Sequence, residues 1–213
     1  MSRSAIFSCS GLVAAATNDQ QRAIAERLKA KSSYYEVARE LARLASRVQP
    51  DEEGKRHFVV CSGGGPSIME AANRGAADEG QESIGLNIVL QHEQMPNPYV
   101  TPSLSFQFHY FALRKMHFLL RARAIAVFPG GFGTFDEMFE LLTLIQTGKV
   151  KPLPIVLFGR EFWERVVNWE ALAEEGVINI DDLSLFRFVE SAEEAWDHVR
   201  RYWSARGEEL VAA

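Results

Sequence analysis

An α/β fold, a doubly wound parallel sheet with helices on both faces in a single domain over residues 1–213, is predicted by three observations. Short apolar runs alternate with amphipathic stretches of helical period along the chain. Two of those runs end in glycine-rich turns that restart as helices, at 62–67 and 129–134. Finally, 213 residues with 47% hydrophobic content suffice for one well-buried core and are short for two.

Taken in order, residues 5–16 are apolar and rich in small side chains, the outline of a signal peptide, but Ser8, Ser10 and Gly11 interrupt the stretch. Residues 18–31 are polar and helix-prone, and 33–45 show apolar spacing of three and four, so two helices are expected before the next strand. A solvated loop at 50–55 leads to a strand at 58–61, a glycine turn, and a helix to Gly75. A strand at 83–90 follows. Residues 91–103 carry three prolines and no periodicity and read as a long loop, a class that often serves function.

Helices at 110–121, 134–146 and 162–174 then alternate with strands near 124–128, 153–158 and 186–189. Ser191-Ala-Glu-Glu194 has the capping-box pattern that starts a last helix, and the tail after Ala205 is expected to fray. The chain has no internal repeat and no low-complexity segment.

A net charge of -5 argues against nonspecific nucleic-acid binding, which requires a basic surface excess. No run approaches the roughly 20 apolar residues that span a bilayer, so a soluble cytoplasmic protein without a membrane partner is expected. The two cysteines, Cys9 and Cys61, lie in or beside apolar runs and are expected to be buried, reduced thiols. His57, His92, His109, His117 and His198 are scattered without a ligand-pair spacing, so no metal and no cofactor is expected.

The richest segment is Phe128-Pro-Gly-Gly-Phe-Gly-Thr-Phe-Asp-Glu137, where an apolar run stops at a glycine turn and restarts as a helix bearing carboxylates. Pro129, Gly130, Gly131 and Gly133 form the turn, and Thr134 is read as opening the helix. Glycines allow close backbone approach to an anion, and the N-terminal N–H groups with the macrodipole would hold a phosphate. Thr134 and Glu137 also fit a capping box in which each satisfies the other's backbone. The first turn, Ser62-Gly63-Gly64-Gly65, repeats the design. Pro66 stands where a first helical residue belongs, and Ser67-Ile-Met-Glu70 is itself a capping-box pattern. Two such turns in one open parallel sheet point to one crevice at the carboxyl ends of the strands.

In the helix at 110–121, Phe108, Ala112, Met116, Leu119 and Leu120 form one apolar stripe, while Arg114 points the opposite way, which on pattern alone suits a solvated residue. The aromatics Phe106, Phe108, Tyr110 and Phe111 suit core packing or stacking on a purine.

These segments together resemble the LOG family of nucleoside 5′-monophosphate phosphoribohydrolases, long mislabelled lysine decarboxylases. Pro129 to Glu137 match the family's Pro-Gly-Gly-x-Gly-Thr-x-x-Glu signature at every fixed position. The likeness extends to residues 62–76, the Arg114-Lys115 pair and residues 148–159. It implies a Rossmann-like fold with residues 5–9 as the first sheet strand and 18–31 as an insertion. The implied activity is hydrolysis of the N-glycosidic bond of AMP, or of an N6-modified AMP such as a cytokinin nucleotide, in a homodimer or larger homo-oligomer.

By the same resemblance Glu137 and Arg114 are the catalytic pair. Glu137 would orient or deprotonate water and stabilise the sugar cation, while the Arg114 guanidinium would contact the substrate. Substrate and phosphate binding is assigned to Gly63, Gly64, Gly65, Lys115, Pro129, Gly130, Gly131, Gly133, Thr134, Glu70 and Glu140. The neighbours Asp136 and Glu140 also suit surface carboxylates at a helix start.

The chain departs from the family in two places. It has Ser8-Cys9-Ser10-Gly11 and no nearby arginine where the family carries a Gly-Ser run, and it has Ser67 where a glycine is common, a change expected to be tolerated at a helix start. A noncatalytic carrier of a nucleotide-like ligand, such as the molybdenum cofactor carriers similar to LOG proteins, is the alternative. An NAD-dependent oxidoreductase fits less well, for want of Gly-x-Gly-x-x-Gly spacing after the first strand. No feature singles out a Schiff-base lysine for decarboxylation.

Overall fold

The computed structural model describes residues 16–89 and 95–207. The expected first strand at 5–9, the loop at Ser8 to Gly11, Cys9, His92 and the end of the tail lie outside the described residues.

Helix α1 (Asp19–Ala30) is capped by Asn18, whose side chain accepts from the Gln21 N–H, and buries only Ala25. Helix α2 (Ser33–Ser46) follows within two residues and packs along α3 (Ile68–Asp78). Arg39 pairs with Asp78, and Arg43 and Arg47 both reach Glu79 at 2.9 Å, fastening these helices across their exposed side. The close approach needs Gly75: a side chain there would meet the Cβ of Ala42 at 2.7 Å.

Among the described residues the strands form two three-stranded sheets. One runs β1 (Val60–Ser62), β2 (Ser83–Ile88), β3 (Ser105–Phe108), and the other β4 (Ile125–Val127), β5 (Ile155–Phe158), β6 (Arg187–Val189). All four pairings are parallel, as predicted for helices that carry the chain back between strands. The remaining helices are α4 (Phe111–Leu119), α5 (Phe132–Gln146), α6 (Arg160–Val166), α7 (Trp169–Glu174) and α8 (Ala192–Ser204).

The core centres on β5, whose four residues are all buried, with Met138, Leu141 and Ile145 of α5 on one side and Ala195 of α8 on the other. Trp163 is fully buried, and its indole N–H donates to the Phe158 carbonyl at 2.9 Å.

Several expectations are corrected. The loop at 91–103 passes into a 3-10 turn (Pro102–Leu104) and then β3, a strand hidden by its length of four residues beside a proline-rich stretch. The helix expected at 162–174 is two helices, broken where the Asn168 side chain caps α7 by accepting from the Ala171 N–H. Cys61, on an edge strand of the described sheet, is solvent-accessible rather than fully buried, yet enough protein surrounds its thiol to push its pKa up to about 12. Phe106, Tyr110 and Phe111 are exposed too and do not belong to the core.

Candidate active site

Helix α5 begins at Phe132 with Gly131 as its N-cap, two residues before the expected start at Thr134. Thr134 therefore sits inside the first turn, its N–H bonded to the Gly131 carbonyl at 3.0 Å, and the Thr134–Glu137 capping box does not form. The Thr134 side chain folds back over Gly130, where an added Cβ would stand 2.8 Å from that of Thr134. Pro129, Gly130 and Gly131 thus carry the chain from β4 to a helix N-terminus whose first N–H groups lack intrahelical partners.

The first turn is held from beneath by buried polar groups. Gly64 N–H donates to Ser62 Oγ at 3.0 Å, and Ser62 Oγ donates to Asn73 Oδ1 at 2.6 Å. Asn73, fully buried on α3, donates to Ser83 Oγ at 3.0 Å and to the Ile84 carbonyl at 3.3 Å. Asn97 donates from Nδ2 to Asn73 Oδ1 at 2.9 Å and to the Gly65 carbonyl at 3.0 Å, while its own N–H bonds the Gly64 carbonyl at 2.8 Å. Sequence reasoning missed Asn73 and Asn97. Their signal was slight: one asparagine in a small-residue helix and another in a proline-rich loop.

Pro66 precedes the N-cap instead of occupying the first helical position, and Ser67 takes the cap with φ 63° and ψ -124°. This backbone region favours glycine, and the serine side chain makes no capping bond, so the capping preference given as the reason for tolerating Ser67 does not operate here. The Ser67–Glu70 capping box is also absent. Glu70 instead accepts from Tyr35 Oη at 3.0 Å, a contact between α3 and α2.

Arg114 joins the two turns. Its Nε donates to the Leu86 carbonyl of β2 at 2.7 Å, and Nη1 donates to Glu137 Oε1 of α5 at 3.0 Å. Nη2 lies across Gly63, where an added Cβ would approach it to 2.5 Å. The side chain is 12% exposed, and the guanidinium carbon stands 5.1 Å from the Phe118 ring centroid. The helix therefore turns Arg114 inward and leaves Ala112, Met116 and Leu120 outside, reversing the face expected from its apolar stripe. The reason is pairing: a cation with a carbonyl and a carboxylate to meet gains more from the inner face than a leucine does.

Lys115 Nζ lies 2.7 Å from Asp136 Oδ2 and 3.2 Å from Glu140 Oε2, so its ammonium is engaged by carboxylates on either side of Glu137. That contact raises its proton affinity, chiefly through the hydrogen bond to Asp136. Glu137 is half-buried, and burial holds its carboxyl above the ordinary value of 4.5, a rise that Arg114 opposes and Asp136 reinforces. Gly63, Gly64, Arg114, Glu137 and the signature turn thus converge at the carboxyl ends of β1, β2 and β4, where open α/β sheets place ligands. A separate cavity of about 250 Å³, lined by Pro152, Arg187, His198 and Tyr202, lies at the opposite ends of β5 and β6 and contains none of these groups.

The model of a family described as "Possible lysine decarboxylase" matches residues 69–199, more than half of the 213-residue chain. The chain belongs to this family, the LOG proteins. Proteins similar in sequence include the pyrimidine/purine nucleotide 5′-monophosphate nucleosidase of Escherichia coli strain K12, 31% identical over 127 residues, covering 54% of this chain and 27% of that protein. The enzyme of strain O157:H7 matches equally. This LOG protein spans about a quarter of the length of the curated relatives it matches. Among solved structures, the molybdenum cofactor carrier protein of Chlamydomonas reinhardtii aligns with TM-score 0.55 at 18% identity, over 81% of this chain and 89% of that one. A second structure of that carrier gives 0.53 at 16% identity. These likenesses establish a shared Rossmann-like fold.

Proposed function

We propose that this chain hydrolyses the N-glycosidic bond of a nucleoside 5′-monophosphate, releasing a free base and ribose 5-phosphate. The observation that carries the reading is the 3.0 Å contact of Arg114 with Glu137, which ties both glycine turns to one carboxylate. The reaction passes through an oxocarbenium-like sugar and needs negative charge near the anomeric carbon, a positioned water and an anchored phosphate. The N-terminus of α5 supplies the anchor, and Gly130, Gly131, Gly133 and Thr134 bind the phosphoryl group. Glu137, about a turn and a half further on, faces the sugar and orients the attacking water. Arg114 keeps it ionised and contacts the substrate.

Lys115 and Glu140 act on this site through the α4–α5 pairing, and Gly63, Gly64 and Gly65 border it. AMP or an N6-modified AMP is the proposed substrate, with Phe132 and the exposed Phe106 and Tyr110 as aromatic surface for the base. The nucleosidase name of the E. coli relatives supports the reaction class. The decarboxylase wording of the family model finds no support in a lysine placed for a Schiff base. The exposed apolar face of α4 supports assembly as a homodimer. Among the described residues no helix is long and apolar enough to cross a membrane, and a cytoplasmic setting suits a nucleotide substrate and a free thiol at Cys61.

The test is incubation with AMP and isopentenyl-AMP, with chromatography for free base. Wild type is expected to release base, and Glu137→Ala to lose activity by at least about a hundredfold. Nucleotide binding without base release by wild type would instead establish a carrier.

A further inference from the structure

The buried amides around the first glycine turn are paired with one exception. Asn73 and Asn97 spend both Nδ2 hydrogens on protein acceptors, whereas Asn87 of β2, only 5% exposed, has an Nδ2 with no hydrogen-bond partner. A buried donor left unmatched in an otherwise satisfied region requires an explanation. Its surroundings supply one. Asn87 follows Leu86, whose carbonyl anchors Arg114, and its carboxamide lies against Gly64, where an added Cβ would stand 2.5 Å from Nδ2 and 2.7 Å from Oδ1. Gly64 has φ 71°, so the residue over the amide bears no side chain and adopts a conformation that glycine takes at no steric cost.

We propose that Asn87 is a ligand-contacting residue whose Nδ2–H donates a hydrogen bond to a sugar-phosphate oxygen of the bound nucleotide. The proposal rests on the nucleotide-site reading above. A primary amide donates to a phosphate or hydroxyl oxygen without adding charge beside Arg114, and it does not compete with Glu137 for the guanidinium. Gly64 covers the amide, and its N–H and carbonyl are held by Ser62 Oγ and the Asn97 N–H, so contact with a ligand oxygen requires the turn to shift together with these partners.

Titration calorimetry of wild type, Asn87→Leu and Asn87→Asp with ribose 5-phosphate and with inorganic phosphate tests this, alongside thermal unfolding. Asn87→Leu is expected to weaken ribose 5-phosphate binding about tenfold while leaving Tm unchanged or higher, because it removes an unmatched buried donor. Asn87→Asp is expected to weaken binding further by charge repulsion. Equal weakening toward inorganic phosphate identifies a phosphate oxygen as the acceptor, and weakening toward ribose 5-phosphate alone identifies a sugar hydroxyl. Unchanged affinity in Asn87→Leu overturns the proposal, as do a fall in Tm in both variants, which marks a structural amide, and a wild type that binds neither ligand. Wild type that binds ribose 5-phosphate through Asn87 yet releases no base from AMP would remove the hydrolase reading and leave this one standing.

Discussion

Arg114 Nη1 stands 3.0 Å from Glu137 Oε1, while Nε of the same side chain is bound to the Leu86 carbonyl. One guanidinium thereby fixes a carboxylate of α5 relative to strand β2, and a point-charge substitute cannot make both contacts. Arg114→Lys is expected to lower kcat/KM by about a hundredfold or more, with a larger effect on kcat than on KM, because the misplaced group is Glu137 and not the phosphate anchor. Steady-state kinetics on AMP check this. An equal loss confined to KM would reduce Arg114 to a binding role.

The pH profile follows from the charges that face Glu137: Arg114 and Lys115 from α4, Asp136 and Glu140 from α5. Burial raises the carboxyl above its ordinary 4.5. A group that works ionised is active above its pKa and fails as pH falls through it, so the acid limb of kcat/KM should lie above the usual carboxylate range. Lys115 favours the ionised form and neutralises Asp136 and Glu140. Lys115→Met is therefore expected to move that limb to higher pH, and Lys115→Arg to restore it in part. A limb that stays in place would leave Lys115 with a packing role only.

The two strand–turn–helix units, the signature and the parallel α/β architecture were legible in the sequence because glycine, proline and apolar runs are local signals. The inward direction of Arg114 was legible only through family likeness. Helical period separates two faces without saying which is buried, and α4 buries its charged face. Asn73, Asn87 and Asn97 carried almost no signal, since single asparagines have no spacing to read and their meaning arises from strands brought together by folding. Ser67 misled for a similar reason: the serine preference at helix starts assumes an extended N-cap, and this one has positive φ.

That backbone gives a stability prediction. A non-glycine residue in such a region costs about 1–3 kcal/mol. Ser67→Gly relieves it and gives back part through unfolded-state entropy, for a net gain of about 1 kcal/mol. Differential scanning calorimetry should show Tm rising by about 2–4 °C. An unchanged or lower Tm would mean that the turn adopts another conformation in solution.

Asn73→Ala tests the network under the first turn. It removes the acceptor of Ser62 Oγ and of one Asn97 Nδ2 hydrogen, and the donor to Ser83 Oγ and the Ile84 carbonyl, and loss of a connected buried group costs about 2–4 kcal/mol. Chemical denaturation should show that loss, and the slackened turn should also weaken nucleotide binding. Full stability with intact binding would show that the network contributes little to holding the turn.

The outer face of α4 is the last feature with a measurable consequence. Leu120 is 68% exposed, and Leu113 and Met116 lie exposed on the same side of the helix, an apolar stripe on a helix whose other side is ionic. A patch of this kind marks an interaction surface, and a second copy of the same helix would cover it with matching chemistry. Leu113→Asp combined with Met116→Glu places like charges at the centre of such an interface. Light scattering after size exclusion should show wild type as a dimer or larger and the double variant as a monomer. Because Arg114 and Lys115 lie on the same helix, monomerisation should also lower kcat by loosening the Arg114–Glu137 contact. Wild type that runs as a monomer at micromolar concentration would remove the self-association reading and leave the α4 face for a different partner.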